Sequence, residues 1–169
     1  MKAKSQSITV RKATPTDVSA FVEMWQEFVL EHEQIVLRKA KALKSCYVKR
    51  NNVLDTIQRY FGKNIRSRSW GMFLAELDGE AAGYLTVTVK KPPPVYNVER
   101  IGYIDSIFIR KPFRGTGLSS RFRETAIAWF RDKNLSHMSL NVSPQNSHAR
   151  SIYQGWGFLE YRLEMRMKI

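Results

Sequence analysis

Two neighbouring stretches, Ile104-Asp105-Ser106-Ile107-Phe108-Ile109 and Arg114-Gly115-Thr116-Gly117-Leu118-Ser119, decide how this chain folds. The first is an apolar, β-branched run and reads as a strand. From Leu118 to Asp132 the pattern is helical, so the glycines stand between a strand end and a helix start. That order aims several backbone N–H groups and the positive end of a helix at one place. Such a turn is suited to a phosphate or pyrophosphate. Gly115 and Gly117 allow positive φ, and neither carries a Cβ to obstruct the anion. A Walker A loop is excluded, because no Gly-Lys-Ser/Thr follows at the required spacing; a dinucleotide fingerprint would need a third glycine where Ser120 stands.

A second motif lies downstream. Asn146-Ser147-His148-Ala149-Arg150-Ser151-Ile152-Tyr153-Gln154-Gly155-Trp156-Gly157-Phe158 follows an apolar strand candidate, Met138 to Val142. The two motifs together resemble those of the GNAT N-acetyltransferase superfamily. Its acyl-CoA loop is written Gln/Arg-x-x-Gly-x-Gly/Ala, and its second motif Asn-x-x-Ala-x-x-x-Tyr-x-x-x-Gly-Phe. Arg114 and Gly117 fill the first pattern; Asn146, Ala149, Tyr153, Gly157 and Phe158 fill the second. Ser119 departs from the small Gly or Ala, although its N–H can still face a phosphate. The likeness is good over residues 70 to 169, whereas the N-terminal part matches only in layout.

The resemblance implies an α/β fold of one domain spanning residues 1–169: a mixed, mostly antiparallel sheet, splayed around the acyl-CoA site and flanked by helices. It implies an N-acetyltransferase that moves an acetyl group from acetyl-CoA, with no metal, to a primary amine by direct attack through a tetrahedral intermediate. The pyrophosphate would lie on the amides of Arg114, Gly115, Thr116, Gly117, Leu118 and Ser119. The pantetheine arm would run along the strand edge at Ile107, Phe108 and Ile109, where one N–H serves as oxyanion donor. Tyr153 corresponds to the tyrosine that protonates the departing thiolate; taken alone it reads as a half-buried core residue. Asn146 holds the arm or caps the next helix, and the two roles are compatible. Asp105 occupies the position of an acidic general base. Plain alternation would put it on one face with Tyr103, Ile107 and Ile109, leaving Ser106 and Phe108 on the other. A salt bridge from Asp105 to Arg100 or Arg110 is the structural alternative. Glu31 and Glu33 also stand within plausible reach of an acceptor cleft, while His137 and His148 read as surface or capping residues.

Composition bounds the rest. The length of 169 residues suits one domain with a full core. No apolar run spans a bilayer, and Met1 to Ser7 lack the apolar core of an export signal. A lone cysteine, Cys46, forms no internal disulfide and reads as a bystander thiol in a reducing, cytoplasmic setting. The net charge of +13 favours anionic partners. Between residues 36 and 68 stand Arg38, Lys39, Lys41, Lys44, Lys49, Arg50, Arg59, Lys63, Arg66 and Arg68 against one acid, Asp55. Such a run is either a solvated face or an anion-attracting surface beside the acceptor site, favouring an anionic or protein-borne amine over a polyamine. A nucleic-acid-binding module would share this charge, but no helix-turn-helix, aromatic RNA-binding set or zinc spacing accompanies it. A non-catalytic acyl-CoA sensor is the other alternative. Monomer and homodimer are both compatible with the sequence.

The remaining elements follow from periodicity. Ile8 to Arg11 reads as a strand, and Val18, Phe21, Val22, Trp25, Phe28 and Val29 form a helical stripe after a start at Thr14-Pro15. Residues 33 to 50 carry no clean pattern. A second helix runs from Asn52 to Phe61 with Gly62 as its stop. Gly71 to Leu77 and Ala81 to Val89 form a hairpin around Asp78-Gly79. A strand over 99 to 109, one over 137 to 142, a helix over 147 to 154 and a last strand from Phe158 to Met167 complete the reading.

Overall fold

The structure, a computed structural model, describes residues 7–167 and Ile169, so most of the stretch read against an export signal lies outside the described residues. Five strands form one sheet in the order β1-β2-β3-β4-β5: β1 (Ile8–Lys12), β2 (Trp70–Leu77), β3 (Glu80–Lys90), β4 (Ile101–Ile109) and β5 (Met138–Leu140). The first three pairings are antiparallel; only β4 and β5 run parallel. Asp78 and Gly79, both at positive φ, close the β2–β3 hairpin as the Asp-Gly signal predicts.

Helices cover both faces. α1 (Val18–Lys39) and α2 (Val53–Asn64) pack on one side, where Phe21, Met24, Phe61, Met72, Leu74, Tyr84 and Phe108 form a core. α3 (Leu118–Asp132) packs on the other, where Leu85, Val87, Ile104, Leu118, Phe122 and Phe130 form a second core. α4 (Ser147–Gly155) follows β5. The start of α1 is fixed by charge. Arg11 on β1 forks both oxygens of Asp17, at 2.8 and 2.9 Å, while the Thr14 N–H and hydroxyl donate to the same carboxylate. The guanidinium holds the Asp17 carboxyl well below the usual carboxylate range.

Four expectations change. α1 continues through the patternless stretch to Lys39, because Val36 is buried and anchors the last turns; 3-10 turns follow over Lys41–Tyr47. Gly62 does not stop α2, since the next turn buries Asn64 and the helix closes only with the Ile65 N–H on the Phe61 carbonyl. The face assignment in β4 fails at a bulge: Thr86 faces Ser106, whereas Val87 faces Ile104, so Asp105 is the extra residue. Asp105, Ser106 and Phe108 therefore share the α1/α2 face, and Ile107 and Ile109 point with Ile104 toward α3. Finally, residues 158 to 167 form no strand. Leu159, Tyr161, Leu163, Met165 and Met167 are 68–90% exposed, and no strand among the described residues lies beside them to form a ladder.

Candidate active site

The parting of β4 and β5 creates the site. The two strands pair only from Gly102–Met138 to Ile104–Leu140, so the second half of β4 has a free edge. Register decides which groups face it. The Arg110 N–H donates to the Ala82 carbonyl, and every second residue of an antiparallel ladder repeats that pattern. The N–H groups of Phe108 and Ser106 thus point at β3, and those of Ile107 and Ile109 point into the gap. Of the three residues expected to line the arm, Phe108 contributes no edge amide; its ring packs beside Phe28 and beneath the Arg114 guanidinium.

The loop after β4 has the amides an anion needs. Gly115 and Gly117 take φ of 78° and 90°, and Gly117 is the N-cap of α3. Neither glycine is crowded by the protein, so it is the left-handed backbone that requires them. The N–H of Arg114 bonds to Lys111, and those of Ser120 and Arg121 bond back to Gly117. The intervening amides, from Gly115 through Thr116, Gly117, Leu118 and Ser119, donate to no backbone acceptor among the described residues. Ser119 keeps its N–H available despite its departure from the small-residue pattern. These residues fit a pyrophosphate.

The Arg114 side chain points elsewhere. Its Nε donates to the Ile109 carbonyl at 2.9 Å and a terminal nitrogen reaches Glu31 at 2.7 Å. Glu27, one turn before Glu31 on α1, takes Arg110 at 2.9 Å. This acidic ladder clamps the loop and the end of β4 against α1. Glu31 is thus a support of the loop rather than a cleft carboxylate, and Glu33 is occupied by Lys49 at 2.7 Å.

Across β4, on the opposite face from α3, Asp105 is exposed and accepts hydrogen bonds from the Tyr60 hydroxyl at 2.9 Å and from Thr86 at 3.4 Å. The salt bridges considered for Asp105 do not form: Arg110 is held by α1 and Arg100 caps the Lys133 carbonyl. Burial and the Asp105 charge push the Tyr60 phenol above its ordinary range, so it stays a donor. Tyr103, two residues before Asp105, is raised for the same two reasons, and the Lys90 ammonium sits 3.0 Å from its ring centre. Trp70 meets the Tyr60 ring edge-on at 5.7 Å. The result is an aromatic wall with one acid. Sequence reasoning missed Tyr60, Trp70, Thr86 and Tyr103 as site residues. Only the alternation Tyr84, Thr86, Thr88, Lys90 in β3 hinted that this face is polar.

Asn146 caps α4, its Oδ1 accepting the Ala149 N–H at 3.1 Å, which leaves its amide nitrogen free to donate. Tyr153 packs against Trp156 and Phe158, and burial pushes its phenol up to about 12. His137 is exposed beside Ser136, and His148 is exposed. In the basic run, Lys49 alone has a carboxylate partner among the described residues. Arg59 and Arg66 line a shallow groove with Pro15 and Val18, on the flank of α2 opposite Tyr60. No helix among the described residues is long and apolar enough to cross a membrane.

Comparison with known proteins shows what the chain and its fold are similar to. An N-acetyltransferase of Archaeoglobus fulgidus, uncharacterized by name, is 24% identical over 144 residues, covering 85% of this chain and 88% of that one. An N-alpha-acetyltransferase of Sulfolobus acidocaldarius is 25% identical over 109 residues, 62% of this chain and 65% of its own. Among solved structures, the aminoglycoside N-acetyltransferase AAC(6')-Iy in complex with CoA superposes with a TM-score of 0.77 at 16% identity, over 99% of each chain. The model of the acetyltransferase (GNAT) family matches residues 24–158. With a free strand edge, a loop of unpaired amides and that match in one place, the chain belongs to the acetyltransferase (GNAT) family.

Proposed function

We propose that this acetyltransferase transfers the acetyl group of acetyl-CoA to the α-amino group of a polypeptide, with Asp105 as proton acceptor. The observation that carries the reading is the gap between β4 and β5, which puts the free Ile107 and Ile109 amides between a phosphate-ready loop and Asp105. Bound acetyl-CoA supplies an acyl carbon activated as a thioester. The amides from Gly115 to Ser119 hold its pyrophosphate, and Asn146 donates to the arm. The Ile107 N–H stabilises the developing oxyanion, and the Ile109 N–H holds the arm beside it. Asp105, steered by Tyr60 and Thr86, takes the proton that the attacking nitrogen loses, directly or through water. Tyr153 keeps its own proton throughout the neutral range and donates a hydrogen bond to the departing sulfur.

Two observations favour a polypeptide amine over a polycationic acceptor. The wall around Asp105 is aromatic, with a cation already on Tyr103, and Asp105 is its one acid among the described residues. An α-amino group also titrates near 7.7–8.0 and is partly neutral at physiological pH, which one carboxylate can serve. The relative from Sulfolobus acidocaldarius named for this activity is consistent with the choice.

Calorimetric titration of acetyl-CoA into the native chain and into Gly115→Val tests the loop. Micromolar binding in the first, lost in the second, is expected, because φ of 78° excludes a β-branched residue. Peptides with free and blocked N-termini, spermidine and an aminoglycoside then form the acceptor panel. Acetylation of free N-termini is expected; turnover confined to spermidine or the aminoglycoside overturns the acceptor assignment.

A further inference from the structure

Each aromatic residue of the wall around Asp105 has a cation close to it. Lys63 follows Tyr60 by one turn of α2, the spacing at which helical side chains are neighbours. Trp70 pairs with Thr88, and two residues beyond that rung stand Arg68 on one chain and Lys90 on the other. The Lys90 ammonium lies 3.0 Å from the Tyr103 ring centre. Arg59 on α2 and Arg66 just past its end carry the positive charge outward, their guanidinium groups folded onto the Asp55 and Gly62 carbonyls. Every one of these cations is exposed, and none has a carboxylate partner among the described residues.

Like charges at this density repel one another, and an anionic chain laid across them removes the repulsion. Position decides which anionic chain. The cations begin at the cleft itself: Tyr60, one turn from Lys63, holds Asp105 at 2.9 Å, and Tyr103, under Lys90, precedes Asp105 by two residues. An acceptor whose N-terminus lies at Asp105 therefore has to pass them. An extended chain advances about 3.3–3.6 Å per residue, so its second to sixth residues fall within roughly 18 Å of Asp105. Single-stranded nucleic acid would also need open aromatic faces on which bases stack. Here the rim carries only Lys and Arg, Tyr60 and Trp70 meet edge-on, and Lys90 covers Tyr103.

Resting on the N-terminal acceptor reading above, we propose that the acceptor polypeptide is acidic directly behind its free N-terminus. Lys90, Lys63 and Arg68 bind the carboxylates at its second to fourth positions, and Arg66 and Arg59 receive those that follow. An acid at the first position would face Asp105 itself, so the preference begins at the second. These are exposed charge pairs remote from the thioester, and they act on acceptor binding and specificity rather than on the chemical step.

Steady-state kinetics at saturating acetyl-CoA tests this with hexapeptides that share an N-terminal alanine and carry glutamate, glutamine or lysine at the second to fourth positions. For the native enzyme, KM for the glutamate peptide is expected roughly five- to tenfold below that for the glutamine peptide, and the lysine peptide should have the highest KM, while kcat stays within about twofold. The glutamate advantage should shrink between about 50 and 300 mM salt, as exposed charges are screened. In K63E/R68E/K90E the order of the glutamate and lysine peptides should invert. K63E/R66E leaves Lys90 on Tyr103 and should still remove most of the advantage. Calorimetry with acetyl-CoA, expected to give the native affinity, shows that each variant is folded. Equal KM for the glutamate and glutamine peptides, or a preference that survives both variants, overturns this proposal and leaves the acceptor class standing. Failure of every free-N-terminal peptide to turn over refutes the acceptor assignment itself, and the proposal falls with it. A single-stranded RNA of roughly 20 nucleotides that abolishes the glutamate advantage below about 1 μM at about 150 mM salt assigns the rim to nucleic acid and likewise overturns it.

Discussion

Asp105→Asn separates the base from everything that positions it. The substituted amide keeps an oxygen for the Tyr60 hydroxyl, now 2.9 Å from the carboxylate, and leaves the free β4 edge and the loop amides untouched. Acetyl-CoA affinity should therefore stay within about twofold. What is lost is the positioned base, commonly worth 10²- to 10⁴-fold, or about 2.7–5.5 kcal/mol of barrier. With the base gone, the rate should follow the neutral fraction of the acceptor. For an α-amino group that fraction rises from about one-tenth at pH 7 to about nine-tenths at pH 9, an increase near ninefold. For a lysine side chain it would rise about a hundredfold over the same interval. The assay is kcat/KM for a free-N-terminal peptide at saturating acetyl-CoA, followed from pH 6.5 to 9.5 beside calorimetry with acetyl-CoA. A variant within threefold of native kcat/KM at pH 7 would refute the role of Asp105; a variant that also loses acetyl-CoA would refute the separation of the two halves of the site.

Tyr153→Phe should lower kcat about tenfold or more with little change in the acetyl-CoA KM, and the native enzyme should show no alkaline limb from this phenol below pH 10, since its pKa lies near 12; a native limb near pH 8 that vanishes in the variant would contradict that. Gly83→Ala would set a Cβ 2.5 Å from the Phe108 carbonyl oxygen, a backbone atom that cannot step aside, and should cost about 1–3 kcal/mol in urea unfolding. Asp17→Asn removes the charge that Arg11 forks and should cost about 1.5–3 kcal/mol at pH 7. The folded pKa of Asp17 is depressed, so this stability is fully present above pH 4 and falls away as the pH drops toward the folded value; the difference between native and variant proteins should shrink steadily below pH 4.

The turn glycines, the hairpin and the second motif were legible because each is local: Gly117, Asp78-Gly79 and Asn146 act on residues within a turn of themselves. The order of strands and helices as far as α4 followed from periodicity together with turn and cap signals. Other features depend on which surfaces meet. Tyr60 and Asp105 are 45 residues apart, and in sequence Tyr60 reads only as one more apolar position of α2. Glu27 and Glu31 find Arg110 and Arg114 across 83 residues, a ladder visible only once α1 is laid over β4. The bulge at Asp105 escapes any strict alternation rule, since one extra residue reverses every face assignment after it. The last strand was misread for the opposite reason. Its pattern is sound, but a strand also needs a neighbour, and no pattern within one chain says whose.

That bulge also fixes how the site fails. The proposed base and the amide proposed to receive the oxyanion, Asp105 and Ile107, are two residues apart on one strand, joined by covalent geometry rather than by the packing of separate elements. Mutations in the surrounding helices can thin the population of folded molecules without moving these two groups relative to each other. Specific activity per folded molecule should then hold nearly constant up to the edge of the melting transition and collapse with it. A destabilised variant of this enzyme would look less abundant, not less skilled.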